Sequence, residues 1–198
     1  MQYLSQRLAA QPAREREREP RDAVARSQRD RLLDATEAVM ADKGAGGATI
    51  EAIVKAAGVS SVTFYEHFRN KDECFTAAFD RAVDELRTEV GDSLPAGDDR
   101  SDQVRAGLAA LLAAIDAEPA RARLCLVEAQ KGGSQLAARY DETLDDVAAE
   151  LGDSLGEAIA GGLAWLLRER LELGGGGSVQ ELLPEMTEVV LPIHPAHG

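Results

Sequence analysis

Apolar residues recur along the chain at spacings of three and four. Leu32, Leu33, Thr36, Val39 and Met40 share one face at helical period and predict a first helix over roughly 27–43. Thr49 stands as an N-cap before Ile50, Ile53, Val54 and Ala57, a short second helix. Gly58 follows, the residue type that tolerates the left-handed backbone of a tight turn. Ser60 or Ser61 caps a short third helix. Asn70 and Glu73, three apart, form a variant capping box and open a long fourth helix. Its stripe is Phe75, Phe79, Ala82, Val83, Leu86 and Val90.

The pattern continues to the C-terminus. Val104, Leu108, Leu111, Leu112 and Ile115 mark a helix within Gln103–Asp116. Pro119 suits the first turn of the next, which should run through about Gln130. Another helix is expected from about Ser134 to Leu151, and a further one over Ser154–Leu173 with Leu155, Ile159, Gly162, Leu163, Leu166 and Leu167. The small residues Ala158, Gly161 and Gly162 allow close approach of a neighbouring helix. Val179, Leu182, Leu183, Met186, Val189 and Val190 belong to the last helix, with Pro184 near its start or at a kink. No stretch sustains a two-residue alternation rich in β-branched or aromatic residues, so no sheet is expected. The reading is all-α, about nine helices, with Gly174–Ser178 as a natural interhelix loop.

The second and third helices, joined by a Gly-containing turn, make a helix-turn-helix. At about 100° per residue, Phe64 and Phe68 should face the core with Ile53 and Val59. Val62 and Glu66 then point away, toward a DNA major groove, and Thr63 and Tyr65 flank them where hydroxyls meet phosphates. The segment Thr49–Lys71 closely resembles the DNA-binding signature of TetR/AcrR-family transcriptional regulators, at Thr49, Ile53, Ala57, Gly58, Val59, Ser60, Thr63, Tyr65, Phe68 and Lys71. The resemblance implies an N-terminal three-helix DNA-binding domain, a C-terminal helical ligand-binding and dimerisation domain, and a homodimer built from the last two helices. It implies phosphate contacts from Thr49, Thr63, Tyr65 and Lys71, and base contacts from Ser61, Val62, Glu66 and His67; Ser60 is counted with this set. Glu66 suits a cytosine amino group and Val62 a thymine methyl. Two positions depart from the family pattern: Val62, often Gly, and Ala45, often aromatic, which should cost packing under the first helix.

Charge changes the picture only when divided. The 198 residues carry a net charge of −13, which looks unsuited to a nucleic-acid partner. Residues 1–71 nevertheless hold twelve Lys/Arg and ten Asp/Glu, a balance of +2, while residues 72–198 sum to −15. The expected organisation is a flexible charged arm (1–26), a helix-turn-helix domain (27–72) and an acidic helical effector-binding and dimerisation domain (73–198). Arg14, Arg16, Arg18, Arg21 and Arg26 of the arm read as a disordered tail, with minor-groove tracking as the alternative.

The chemistry for catalysis is sparse. The three histidines are His67, His194 and His197, and no Cys or acid cluster accompanies the last two, so no metal site is expected. No phosphate loop, dinucleotide fingerprint or nucleophile with a base is present, so neither an enzyme nor a cofactor is expected. Two cysteines, Cys74 and Cys125, fit a reducing compartment rather than a disulfide scaffold. With no export signal and no apolar run near 20 residues, the expected place is the cytoplasm, at the nucleoid, with no membrane partner. Cys125, Tyr140 and Trp165 are the candidates to line an effector pocket. The expected function is a dimeric repressor released from a palindromic double-stranded DNA operator by a small molecule. The alternative is a ligand-sensing or protein-interaction module of the same fold that has lost DNA binding.

Overall fold

A computed structural model describes residues 13–97, 99–151, 156–173 and 177–191. These residues form α1 (Ala13–Gly47), α2 (Ile50–Ala57), α3 (Ser61–His67), α4 (Lys71–Asp92), α5 (Arg100–Ala117), α6 (Pro119–Arg123), α7 (Ser134–Leu151), α8 (Gly156–Leu173) and α9 (Leu183–Val190). No strand occurs among the described residues.

α1 starts earlier than the apolar stripe predicts. The backbone is already helical at Ala13, where a flexible arm was expected. Its first turns consist of Arg and Glu, which lack the apolar periodicity that marks a packed helix but have high intrinsic helix propensity. The other end agrees with the sequence: the helix breaks at Gly44, which takes a left-handed φ of 70° with ψ 164°. Local chemistry then fixes the next elements. Thr49 Oγ1 accepts the Ala52 N–H at 3.2 Å, Gly58 adopts φ 64°, and Ser60 Oγ accepts the Thr63 N–H at 3.0 Å. Asn70 Oδ1 accepts the Glu73 N–H at 2.9 Å, while Glu73 Oε2 accepts from the Arg69 N–H at 2.7 Å. That reciprocal bond holds the Glu73 carboxyl below its ordinary range.

The structure has two apolar cores. The first gathers Leu32, Met40, Ile53, Phe64, Phe68 and Phe75 with Leu124 of the turn after α6 and Leu136 of α7. The second gathers Leu112, Ile115, Ile159, Leu167, Met186 and Val190 from α5, α8 and α9. Leu126 packs against both. The domain boundary expected at residue 72 therefore falls inside α4, with no gap in packing. Phe75 and Phe79 of α4 share the core of the helix-turn-helix.

α6 begins as expected at Pro119 but does not stay regular. It loosens into a π turn over Leu124–Glu128 and then tightens into a 3-10 turn over Ala129–Lys131. The last helix is likewise preceded by a 3-10 turn, Val179–Leu182, with Pro184 in the first turn of α9 where its missing N–H costs no hydrogen bond. Asp116 ties this turn to α5: Oδ1 accepts the Val179 N–H at 3.0 Å and Oδ2 accepts from Gln180 Nε2 at 3.3 Å and from the Ser178 hydroxyl. Partial burial alone would raise the Asp116 pKa, but these bonds outweigh it and hold the carboxyl below its ordinary value.

Candidate nucleic-acid interface and effector cavity

α3 is a short helix with one face anchored and the other left open. Phe64 is fully buried, and its ring lies 5.6 Å from that of Phe68. Arg29 of α1 lays its guanidinium 4.7 Å above the Phe68 ring, closing that side of the core. On the opposite face Val62 is 70% exposed and Tyr65 59%, with Ser61 and Glu66 also exposed. Tyr65 still sets its ring edge-on to Phe64, with centroids 5.5 Å apart, so it is fixed at the rim of the core while much of its surface stays open.

The other predicted contact residues surround that face. Thr49 and Ser60 are exposed and already accept the first amides of α2 and α3. Thr63 is half-buried, its hydroxyl 3.0 Å from Ser60 Oγ. Lys71 is exposed at the start of α4, with Nζ 5.5 Å from the Phe75 ring centroid. His67 stands apart from this set: its ring is half-buried beside Phe68, and Nε2 is buried without a hydrogen-bond partner.

α4 joins this unit to the rest of the molecule. Near its start Cys74 is buried, its thiol pushed up to about 11 by burial, with Sγ 3.2 Å from the Thr36 hydroxyl. Arg81 Nη2 reaches back to α1, 2.6 Å from Glu37 Oε1 and 2.8 Å from Asp34 Oδ1. Burial raises the Glu37 pKa, more than the pull of Arg81 lowers it. Arg121 Nη1 of α6 meets Glu89 at 2.7 Å and Glu85 at 3.5 Å. Arg139 of α7 donates to Asp80 at 2.7 Å. Three guanidiniums thus brace one helix against α1, α6 and α7.

The distal half of α4 walls a cavity of about 450 Å³, within the range that holds a small-molecule ligand. Val83, Leu86 and Val90 line it from α4, Leu126 from the π turn, and Leu144 and Val147 from α7. The polar groups present are few: the Tyr140 and Thr143 hydroxyls, the Cys125 thiol, and Arg87 with Glu150, whose charged ends lie 3.3 Å apart. Burial pushes the Cys125 thiol up to about 12 and raises the Tyr140 phenol, so both are neutral donors.

Two of the three pocket residues proposed from sequence, Cys125 and Tyr140, line this cavity. Trp165 does not. It is 51% exposed on α8, because Ala164 and Leu167 take the inward face and Trp165 falls one position off it. It borders a separate surface groove with Leu166, Leu173 and Leu182. The stripes assigned to a partner helix are also divided: Ile159, Leu167, Met186 and Val190 are buried within the chain, while Trp165, Leu173 and Val189 stay exposed. Sequence reasoning did not find the cavity wall of α4 and α7, since Val, Leu and Phe serve a filled core and an unfilled one alike. His194 and His197 lie outside the described residues, and among the described residues no group of three or more potential ligands could hold a metal ion.

Comparison with known proteins follows the same division. Residues 32–78 match the family model for bacterial regulatory proteins of the tetR family. The HTH-type transcriptional activator FasR of Mycolicibacterium smegmatis is 34% identical over 97 residues, which are 49% of this chain and 42% of that protein. The chain thus matches less than half the length of this relative. A transcriptional regulator from Rhodococcus sp. Rha1 is 28% identical, with a TM-score of 0.60 over 83% of this chain and 92% of its own. The regulator FadR from Bacillus subtilis, solved in complex with stearoyl-CoA, shares the fold at 14% identity, with a TM-score of 0.67 over 81% of this chain and 96% of its own.

Proposed function

We propose that this chain, whose residues 32–78 match the model for bacterial regulatory proteins of the tetR family, is a homodimeric repressor of that family released from a palindromic operator by an apolar small molecule. The single observation that carries the reading is the course of α4. It starts at Lys71 beside the exposed face of α3 and ends as a wall of the apolar cavity. An occupant that favours one position of α4 shifts the population of the dimer toward the matching placement of the recognition helices. Ser61, Val62, Glu66 and His67 read base edges in the major groove, Thr49, Thr63, Tyr65 and Lys71 hold phosphates, and Ser60 completes the contact set.

The effector class follows from the lining. A cavity built almost wholly of aliphatic and aromatic side chains takes a molecule with a long or bulky apolar part, oriented by the hydroxyls of Tyr140 and Thr143. The stearoyl-CoA found with the Bacillus subtilis structure makes that thioester the first probe. For the dimer, Ala158, Gly161, Gly162, Trp165 and Leu173 follow one another on one face of α8, and a Cβ at either glycine would meet nothing within 4 Å. Small residues beside an exposed Trp suit the close approach of a second copy. Among the described residues no helix is long and apolar enough to cross a membrane.

The test is selection of bound duplex from a random pool, then anisotropy titration of that duplex with and without stearoyl-CoA. The reading expects a palindromic site, affinity that falls steeply with salt, and release by an apolar ligand. Absence of binding at low salt overturns the operator reading and favours a sensor that has lost DNA binding. Tighter binding with ligand makes the chain a ligand-dependent activator or co-repressed regulator. For the interface, Gly162→Trp should shift the sedimentation coefficient from dimer to monomer.

A further inference from the structure

Glu128 is the one carboxylate buried to this depth among the described residues, at 4% exposed, and its main partner lies in the other half of the molecule. Oε2 accepts the Ala45 N–H at 2.7 Å. Oε1 faces Arg123 Nη2 at 3.6 Å. Burying an acid without satisfying it is costly, so a carboxylate kept here requires those donors. The receiving backbone is itself special. Gly44 is left-handed, and a Cβ built there would lie 3.3 Å from Glu128 Oε2. The α1 kink and the carboxylate therefore fit each other closely: the three atoms nearest that glycine position all belong to Glu128.

The carrier of Glu128 matters as much as its partner. It closes the π turn Leu124–Glu128, in which one extra residue is accommodated before the chain tightens again. Cys125 and Leu126 of the same turn line the cavity. One five-residue turn thus presents two side chains to the void and a third to the hinge of the helix-turn-helix. Single π turns recur at functional sites, and a shift of this one would carry Cys125, Leu126 and Glu128 together.

We propose that Glu128 is a positioning residue: its carboxylate latches the Gly44–Ala45 kink and transmits pressure on Cys125 and Leu126 to the DNA-binding unit. The latch itself stands on geometry alone; its role in ligand response rests on the effector reading above. Loss of the bond frees α1 to pivot at Gly44, which loosens the recognition helices and uncouples them from the cavity.

The experiment compares full-length wild type with Glu128→Leu, Glu128→Asp and Glu128→Gln. Amide exchange at Ala45 is measured without ligand. Leu removes the acceptor and Asp withdraws it by one methylene, so both should raise exchange at Ala45 by about tenfold, while amides near Phe75 hold their wild-type rates. Gln keeps an oxygen at the same reach and should stay near wild type. In parallel, selected operator duplex is titrated with and without stearoyl-CoA. The ratio of the two affinities should fall toward one in Leu and Asp and be retained in Gln, a split that general destabilisation does not produce. Unchanged Ala45 exchange in Glu128→Asp overturns the latch even if Glu128→Leu fails to fold. An unchanged ratio in a variant whose Ala45 exchange has risen overturns the transmission. If stearoyl-CoA binds none of the proteins, the effector reading loses its probe, and the exchange data still decide the latch.

Discussion

The two halves of α4 lie in contrasting surroundings. Its first turns carry Cys74, Phe75 and Ala78 into a core closed by Leu32, Met40, Ile53 and Phe64, each buried to the last per cent. Its last turns carry Val83, Leu86 and Val90 to a cavity of about 450 Å³. The same residue types and the same helix serve a filled interior at one end and an unfilled one at the other. Interiors pack near crystal density, so apolar side chains that face this half-open pocket forgo dispersion contacts that a closed core would supply. The filled end must hold α3 at a fixed angle. The open end is free to be completed by something else. The helix itself, braced by Arg81, Arg121 and Arg139, is the rigid part that joins them.

The widest gap should separate Phe64 from its neighbour Val62. Phe64→Ala removes a fully buried ring and should cost about 3–5 kcal/mol, read from urea midpoints. That is a large share of a typical domain's stability, and operator binding should vanish with it. Val62→Ala, 70% exposed, should leave the midpoint within about 0.5 kcal/mol while changing operator preference. Equal losses in both would mean that α3 is anchored by more than its buried face.

Overpacking sharpens the same contrast. Ile53→Phe, at a site with no exposure, should cost about 1–3 kcal/mol. Leu144→Phe adds similar bulk toward the cavity and should cost less than about 1 kcal/mol, since the ring has space to enter. Its effect should appear instead as weaker binding of an apolar probe. A cost at Leu144 as large as at Ile53 would show that the cavity closes in solution.

The filled end was also the legible end. Thr49, Gly58, Ser60, Asn70 and Pro119 each act on backbone within a few residues of themselves, so their spacing predicts the caps and turns that the structure contains. The outward aim of Val62 and the inward aim of Phe64 follow from helix geometry alone. What sequence spacing did not reveal depends on distant partners. The helical start of α1 carries no apolar stripe to announce it. Trp165 was grouped with Cys125 and Tyr140 by residue type, yet one position on α8 turns it to the surface. The π turn leaves no mark in composition. Glu128 reads as an ordinary surface acid until Ala45, 83 positions away, is folded against it.

The smallest expected difference is one of pH, and it has opposite signs in the two regions. Glu37, paired with Arg81 beside the filled core, has its pKa raised above the ordinary 4.5 by burial. A raised folded pKa means that the folded state holds this proton more tightly than the unfolded chain does. The contribution is complete below 4.5 and is lost as pH rises through the raised value. Asp116, which fastens the turn before α9, is lowered from 3.8 by its three donors once they outweigh burial. Its contribution is complete above 3.8 and is lost as pH falls through the lowered value. Urea midpoints measured across the acid range should therefore respond differently to two isosteric changes. Glu37→Gln should flatten the profile on the side above 4.5, and Asp116→Asn should flatten it on the side below 3.8. Both steps should be well under the cost of Phe64→Ala, since each acid retains contact with water. If Asp116→Asn left the lower limb unchanged, the turn at Val179 would be held by its neutral hydrogen bonds, and the charge on Asp116 would have no part in joining α5 to α9.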